Sequence, residues 1–222
     1  MGSERAGPIA YYDRIASDYD AQLSPLRGVE TREAFHREFA RRVPPGGRVL
    51  DFGCGTGVDA LWLAGRGNHV VAYDGSARMI AELERRCGAV IAEGAVEVWW
   101  ATLEDFVRSV RERGPFDAAI ANFAVLNAIA DPRPVFEAIG AALPAGALFL
   151  ASVLNPLHWS VVRPGYLSVV LSAAGGGSRR HRDPVETFWH SRPFLSRAAA
   201  PSFGTARVKG GRFLFLAFRR RE

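Results

Sequence analysis

From residue 48 to residue 154 the chain alternates short runs that are apolar almost throughout with longer stretches whose apolar positions recur every three or four residues. The short runs are RVLDF (48–52), HVVAYD (69–74), VEVWWA (96–101), FDAAIAN (116–122) and ALFLASVL (147–154). A run without polar alternation belongs to a strand buried on both faces, the condition of a parallel sheet. Between the runs lie helical stretches: one from Gly57 to about Arg66, then ARMIAELERRC, EDFVRSVRER and DPRPVFEAIGAAL. Strands and helices in this order, joined by right-handed crossovers, predict an α/β fold. Its centre is a doubly wound, mostly parallel seven-stranded sheet with helices on both faces.

Two helices are predicted before the first strand, one starting at Tyr11 in YYDRIASDYDAQL and one in EAFHREFARRV, the latter ended by PPGG at 44–47. Beyond Asn155 the alternation breaks. NPLHWSVVRPGYLSVVLSAAGGGSRRHRDP reads as a short helical insertion followed by a flexible GGGS loop. VETFWH then forms a sixth strand and SRPFLSRAAA a helix, and GTARVKGG with RFLFLAF makes an antiparallel hairpin at the sheet edge. One domain is expected, with helices in 1–43, a ligand-binding core in 44–152, an insertion in 153–184 and C-terminal strands and helix in 185–222.

With 222 residues, 48% of them hydrophobic, the chain can bury a sizeable core. No apolar run is long enough to span a bilayer and the N-terminus lacks a signal-peptide core, so a soluble, cytoplasmic protein is expected. Cys54 and Cys87 are too few for a disulfide framework and wrongly spaced for zinc, and no metal is expected. The net charge of +5 admits an anionic partner such as RNA. Most of the excess is scattered arginine, as at Arg85, Arg86, Arg111 and Arg113, with a basic tip at Arg219 to Arg221, a pattern typical of solvated surface.

The residues with the most chemical content are RVLDFGCGTGVDA at 48–60. Two templates compete for this loop. GTGVDA from Gly55 fits a dinucleotide fingerprint, with Asp74 lying 19 residues further on where a ribose-binding acid belongs. That register leaves Asp51 as an unpaired carboxylate inside a central strand, which costs several kcal/mol. A loop starting at Gly53 instead puts Asp51 at the carboxyl mouth of the strand, where ligands bind open parallel sheets. A carboxylate there repels a pyrophosphate and attracts a ligand carrying an ammonium and a sulfonium, of which S-adenosylmethionine (SAM) is one.

VLDFGCGTG at 49–57 resembles motif I of the class I SAM-dependent methyltransferases. The resemblance implies that Asp51, Gly53, Cys54, Gly55 and Gly57 surround the methionyl part of SAM, with the following helix N-terminus facing its carboxylate. It implies that Asp74, next to Gly75, accepts both ribose hydroxyls and that Met79 in GSARMI packs on the adenine; a core methionine on a helix is the alternative. VEVWWATLEDFV resembles the adenine-reading segment, with Thr102 standing where an acid is common and backbone at Thr102 and Leu103 left to read the base. FDAAIANFAVLNAIADP resembles motif IV and puts Asn122 and Phe123 beside the sulfonium. YYDRIASDYD resembles the family's lid helix, so that Tyr11, Tyr12 and above all Tyr19 cover the cofactor. Asp59 is expected to do no more than compensate the helix dipole.

His190 and His158 are the expected general bases, ahead of His181, and His36 and His69 are expected to be structural. Trp159, Tyr166, Phe188 and Trp189 suggest a small-molecule acceptor that is planar or apolar. Three other functions stay open: a nicotinamide-dependent oxidoreductase on the GTGVDA register, a nucleic-acid methyltransferase, and a non-catalytic SAM-binding protein. NFAV lacks the Asn- or Asp-Pro-Pro-aromatic run of the base-methylating enzymes, and no separate RNA-binding module is evident. FAVLN resembles a stretch of quinone C-methyltransferases, but those carry an arginine at the position of Leu126. The methylated atom and the oligomeric state are not legible.

Overall fold

In a computed structural model the chain is described over residues 7–23, 28–158, 166–181 and 185–222. Among the described residues three helices precede the sheet: α1 (Pro8–Ile15), α2 (Tyr19–Leu23) and α3 (Gly28–Ala40). Strands β1 (Arg48–Phe52), β2 (His69–Asp74), β3 (Val96–Trp100), β4 (Ala118–Ala121) and β5 (Leu148–Leu154) then alternate with α4 (Val58–Gly65), α5 (Ala77–Ala92), α6 (Leu103–Arg113) and α7 (Arg133–Ala141). The remaining elements are α8 (Leu167–Ala174), β6 (Ser178–His181), β7 (Thr187–His190), α9 (Arg192–Ala199), β8 (Phe203–Lys209) and β9 (Phe213–Arg220).

The main sheet has seven strands in the order β3-β2-β1-β4-β5-β9-β8, with β1 to β5 parallel and β9 antiparallel to both its neighbours. β1 therefore lies between β2 and β4, with Asp51 opposite Ala72 on one side and Ile120 on the other. At this point the chain stops building outward in one direction and starts in the other. The crossovers leave on opposite faces, and a crevice opens at the carboxyl ends of β1 and β4.

Apolar residues on both faces of the strands explain the two cores. Phe52, Tyr73, Phe149 and Phe218 meet Phe106 of α6, Phe136 of α7 and Leu195 of α9. On the other face Val49, Val70, Ala118 and Phe215 meet Phe35 of α3, Leu63 of α4 and Leu83 of α5. Among the described residues no helix is long and apolar enough to cross a membrane.

Three expectations need correction. VETFWH supplies no strand to the main sheet, because β7 pairs with β6 in a separate two-stranded antiparallel sheet. The reason is side-chain burial: β9 buries five consecutive residues, Leu214 to Phe218, and satisfies both cores beside β5, whereas only Trp189 and His190 of β7 are buried. SRRH, expected in a loop, is the partner strand β6. The single helix predicted from Tyr11 starts earlier, at Pro8, and is broken by a 3-10 turn at Ala16–Asp18. Proline at the first helical position needs no N–H donor there, so the helix can start on it.

Candidate functional site

The glycine loop follows β1. Gly53, Gly55 and Gly57 all have positive φ, at +75°, +54° and +82°. The loop is anchored to β2: Gly53 N and Cys54 N both donate to Tyr73 O, at 2.8 and 2.9 Å. Asp74 at the end of β2 completes the anchor, its Oδ2 accepting from Gly55 N at 2.9 Å and its Oδ1 from Ser76 N at 2.8 Å. Two of the glycines face different surroundings. A Cβ on Gly57 would lie 2.7 Å from Leu83 Cγ and 3.0 Å from Cys87 Sγ, so its missing side chain lets the loop pack on α5. A Cβ on Gly55 would have Tyr19 Cε1 as its nearest neighbour at 4.0 Å, and so would stand in open space.

That open space is a cavity of about 360 Å³. Gly53 and Gly55 form one wall, Phe52 and Tyr73 lie at its base, and Tyr12 and Tyr19 cover it from the N-terminal helices. Asp74, Gly75, Met79, Thr102 and Leu103 bound one end. Asn122, Phe123, Val125, Ala128 and Ile129 also line the cavity, all apolar but Asn122, and Val125 sits against the glycine loop, where a Cβ on Gly53 would lie 2.5 Å from Val125 Cγ1.

Electrostatic contacts tie the N-terminal helices over this space. Asp20 Oδ1 accepts from Thr56 Oγ1 at 3.0 Å and Asp20 Oδ2 pairs with Arg86 Nη2 at 2.6 Å. Ser76 caps α5 by accepting from Met79 N at 3.1 Å while its hydroxyl donates to Asp13 Oδ1 at 2.6 Å. Ser76→Ala removes both contacts, and urea denaturation should record a loss of about 1 to 2 kcal/mol, the usual range for a lost cap. Burial, with help from Tyr11 and Asp74, pushes the Tyr12 phenol up to about 12, and burial also raises Tyr19, so both covering tyrosines stay neutral near pH 7.

Beneath the loop lies a charged network. Asp59 in the first turn of α4 takes Arg32 Nη1 on Oδ2 at 2.5 Å, His36 Nε2 on Oδ1 at 2.6 Å and Asn122 Nδ2 on Oδ2 at 3.1 Å. The His36 ring stacks on Trp62 at 3.8 Å and the Arg32 guanidinium lies 4.5 Å from the Phe123 ring centre. Asn122 Oδ1 in turn accepts from Ser152 Oγ at 2.7 Å and from Phe123 N at 2.9 Å. These bonds hold Phe123 and Ala124 in left-handed conformations, φ 55° and 65°, which non-glycine residues avoid at a cost of about 1 kcal/mol or more each. Burial works to raise the Asp59 carboxyl, but Arg32 and His36 overcome it and leave it below its ordinary value.

Asp51 is the opposite case. It is 1% exposed, and its Oδ2 has no hydrogen-bond partner among the described residues. Burial first, then the Asp59 charge, raise it well above the usual carboxylate range, with Arg32 pulling the other way. Burial also raises Asp74, partly offset by N–H donors from Ser76, Gly55 and Gly75.

Of the residues singled out in the sequence, Tyr19, Gly53, Gly55, Asp74, Gly75, Met79, Thr102, Leu103, Asn122 and Phe123 line the cavity. Met79 does so while 2% exposed, combining a packing position with a place in the wall. The Thr102 side chain is taken up as the N-cap of α6, accepting from Asp105 N at 3.1 Å and donating to Asp105 Oδ2 at 2.7 Å, so only its backbone is free for a ligand. Asp51, Cys54 and Gly57 support the loop from behind without lining the cavity.

The two histidines are elsewhere. His190 is wholly buried; its Nε2–H donates to Ile129 O at 2.9 Å and its Nδ1 accepts from Ser178 Oγ at 2.7 Å, with the ring stacked on Phe194. Burial lowers its basicity, consistent with a neutral ring that clamps Ile129. His158 lies past the end of β5, outside the cavity wall. Tyr166 and Trp189 pack together with Val169 on α8 in a satellite cluster, and Phe188 stacks on His190; none of them lines the cavity. Trp159 lies outside the described residues. Sequence reasoning missed the role of Asp59 with Arg32. The available signal was the spacing of Arg32 and His36, four residues apart and hence on one face of a helix.

An open parallel sheet with a glycine loop at its switch point and an acid closing the second strand defines a Rossmann-like nucleoside-binding class. The family model described as "Methyltransferase domain" matches residues 26–194, and the chain belongs to that family. Among curated relatives, it is similar to a ubiquinone biosynthesis O-methyltransferase of Xylella fastidiosa (35% identity; 65% of this chain, 57% of the relative). It is also similar to a tRNA 5-carboxymethoxyuridine methyltransferase of Escherichia coli (29% identity; 74% of this chain, 57% of the relative). The chain thus spans less than two thirds of the length of these relatives. Among solved structures, a DhpI–SAH complex superposes with a TM-score of 0.66 over 96% of this chain and 95% of that one at 21% identity, a likeness of fold.

Proposed function

We propose that the chain transfers a methyl group from SAM to a small-molecule acceptor that is planar or apolar. One observation carries the reading: a single cavity, under two tyrosines, is lined both by a glycine loop tied to Asp74 and by the apolar side chains of Phe123, Val125 and Ile129. SAM, when bound, would supply a methyl group carried on a sulfonium. Asp74 keeps lone pairs free beside its backbone donors and can accept hydroxyls of a ribose, while the neighbouring backbone at Thr102 and Leu103 borders the base. Gly55 lets the chain approach the ligand without a side chain between them. Asp74 makes this part of the cavity suited to ligand hydroxyls, and the match of residues 26–194 to the methyltransferase family model speaks against the nicotinamide alternative.

Along the apolar side chains the chain's contribution is shape. Tyr12 and Tyr19 exclude water, and Phe123 and Ile129 present flat and branched apolar surface, so alignment of an acceptor can supply much of the acceleration. In this reading His190 is a positioning residue acting through Ile129. Calorimetry with SAM and S-adenosylhomocysteine should give saturable binding, and absence of heat at millimolar ligand would overturn the proposal. The tRNA-modifying relative and the net charge of +5 favour RNA as a second acceptor class. Binding of an RNA with a steep fall in affinity between low and moderate salt would select that class over a small molecule.

A further inference from the structure

Part of the cavity wall is held by a sheet other than the main one. After β4 the backbone passes through the left-handed Phe123 and Ala124 into a 3-10 turn, Val125–Ala128. Such a turn repeats every three residues, so Val125 and Ala128 share a face, and both line the cavity together with Ile129. Leu126 and Asn127 lie between them and are 0% and 1% exposed. Leu126 belongs to the apolar core, whereas a buried asparagine is costly unless its amide is paired. Asn127 uses both ends of that amide. Its Oδ1 accepts from Leu154 N at the end of β5 at 3.0 Å, and its Nδ2 donates to Phe188 O on β7 at 2.7 Å.

A second tie follows at once along the chain. His190 on β7 donates to Ile129 O at 2.9 Å and is fixed from behind by Ser178 Oγ on β6 at 2.7 Å. The β6–β7 sheet is in turn joined to α8, where Ser172 Oγ donates to Ser178 O at 3.2 Å and Val169 packs with Trp189 and Tyr166. The glycine loop is bonded instead to β2, through Tyr73 O and Asp74. The two parts of the wall thus have separate supports, and they meet where Val125 sits against Gly53. A shift of the turn changes the room left beside a ligand at the loop while the loop keeps its own bonds.

We propose that Asn127 is a positioning residue that sets acceptor specificity: with His190 it pins the turn carrying Val125, Ala128 and Ile129 between β5 and the β6–β7 sheet, so that this separate sheet fixes how closely an acceptor ring is gripped. The inference rests on the reading of a planar or apolar acceptor above and adds the part of the chain that selects it. Asn127 and His190 touch no ligand themselves; each satisfies a backbone carbonyl, of Phe188 and of Ile129. Removing either donor leaves a buried carbonyl unpaired, and the turn must move for it to find another partner.

Calorimetry on the full chain tests this, with S-adenosylhomocysteine titrated first and 2-naphthol, as a planar probe, titrated into the saturated protein. In Asn127→Leu the affinity for 2-naphthol should fall by about tenfold or more, while that for S-adenosylhomocysteine stays within about threefold of wild type. His190→Phe keeps a ring and loses the donor to Ile129 O, and it should show the same split. His190→Gln can return an N–H to that carbonyl and should restore 2-naphthol binding toward the wild-type value. A merely structural role would weaken both ligands alike. An equal fall of both in Asn127→Leu or His190→Phe would therefore overturn the inference, as would an unchanged affinity for 2-naphthol in either. Should Asn127→Leu fail to fold, the His190 pair decides, and equal 2-naphthol affinities in His190→Phe and His190→Gln would overturn it. If wild-type protein binds S-adenosylhomocysteine but not 2-naphthol, the inference falls with the planar or apolar acceptor while the SAM reading stands. If S-adenosylhomocysteine itself does not bind, both fall together.

Discussion

Asp74→Ala should weaken S-adenosylhomocysteine binding by about 3 to 4 kcal/mol, two to three orders of magnitude, while lowering thermal stability far less. A single charged hydrogen bond to a ligand hydroxyl accounts for about 1.5 to 3 kcal/mol of this. The rest follows from what the carboxylate does in the chain itself: it accepts from Gly55 N and Ser76 N, and so fixes the glycine loop against the start of α5. Without it the loop must be ordered at the moment of binding, and that ordering subtracts from the affinity. Stability suffers less because the same substitution relieves a buried charge whose ionised form the surroundings disfavour. Titration calorimetry beside a thermal melt separates the two effects. An affinity within threefold of wild type would mean that Asp74 serves the loop alone.

Gly55→Val should abolish binding, by at least about a thousandfold, with the fold retained. The new side chain would project past Tyr19 into the cavity, where its Cβ meets no wall atom closer than 4.0 Å, and it would occupy ligand space. The backbone φ of +54° adds strain of about 1 to 2 kcal/mol for a branched residue, a drop of roughly 2 to 8 °C in Tm for a chain of this size. Gly57→Val supplies the contrast. There the Cβ would lie 2.7 Å from Leu83 Cγ in the core beneath α5, so destabilisation should dominate. If Gly55→Val binds S-adenosylhomocysteine normally, the ligand lies elsewhere in the cavity.

How much of this was legible before the fold was known varies with the distance over which each feature is determined. The loop from Asp51 to Gly57 and the acid at Asp74 are two local patterns, and each could be placed at a strand end from the sequence because the apolar runs mark where the strands stop. Thr102 illustrates a partial case. Its departure from an acidic position was visible, but its service as a cap to Asp105 follows from a spacing of three residues that suits a helix start equally well. His190 shows the limit of such reasoning: a histidine at a strand end near the expected acceptor side has both ring nitrogens taken by Ser178 and Ile129, the latter 61 residues away. Nothing local to His190 announces either partner. The same holds for TFWH, whose apolar pattern suits a strand in any sheet and whose partner was set by competition with β9 for the edge of β5.

The sequence by itself determined the class of fold, the succession along the chain of the strands and their covering helices, and the place of a glycine loop that can receive a ligand. Burial on both faces and positive φ are properties that consecutive residues express. Only the tertiary structure decided that Asp59 is clasped by Arg32 and His36 and that, among the described residues, Asp51 Oδ2 has no hydrogen-bond partner. Those features depend on which groups meet after α3 folds back over the sheet. A carboxyl's charge in a dry interior is set by its neighbours in space, and neighbours 23 and 27 positions away along the chain leave no periodic trace in it.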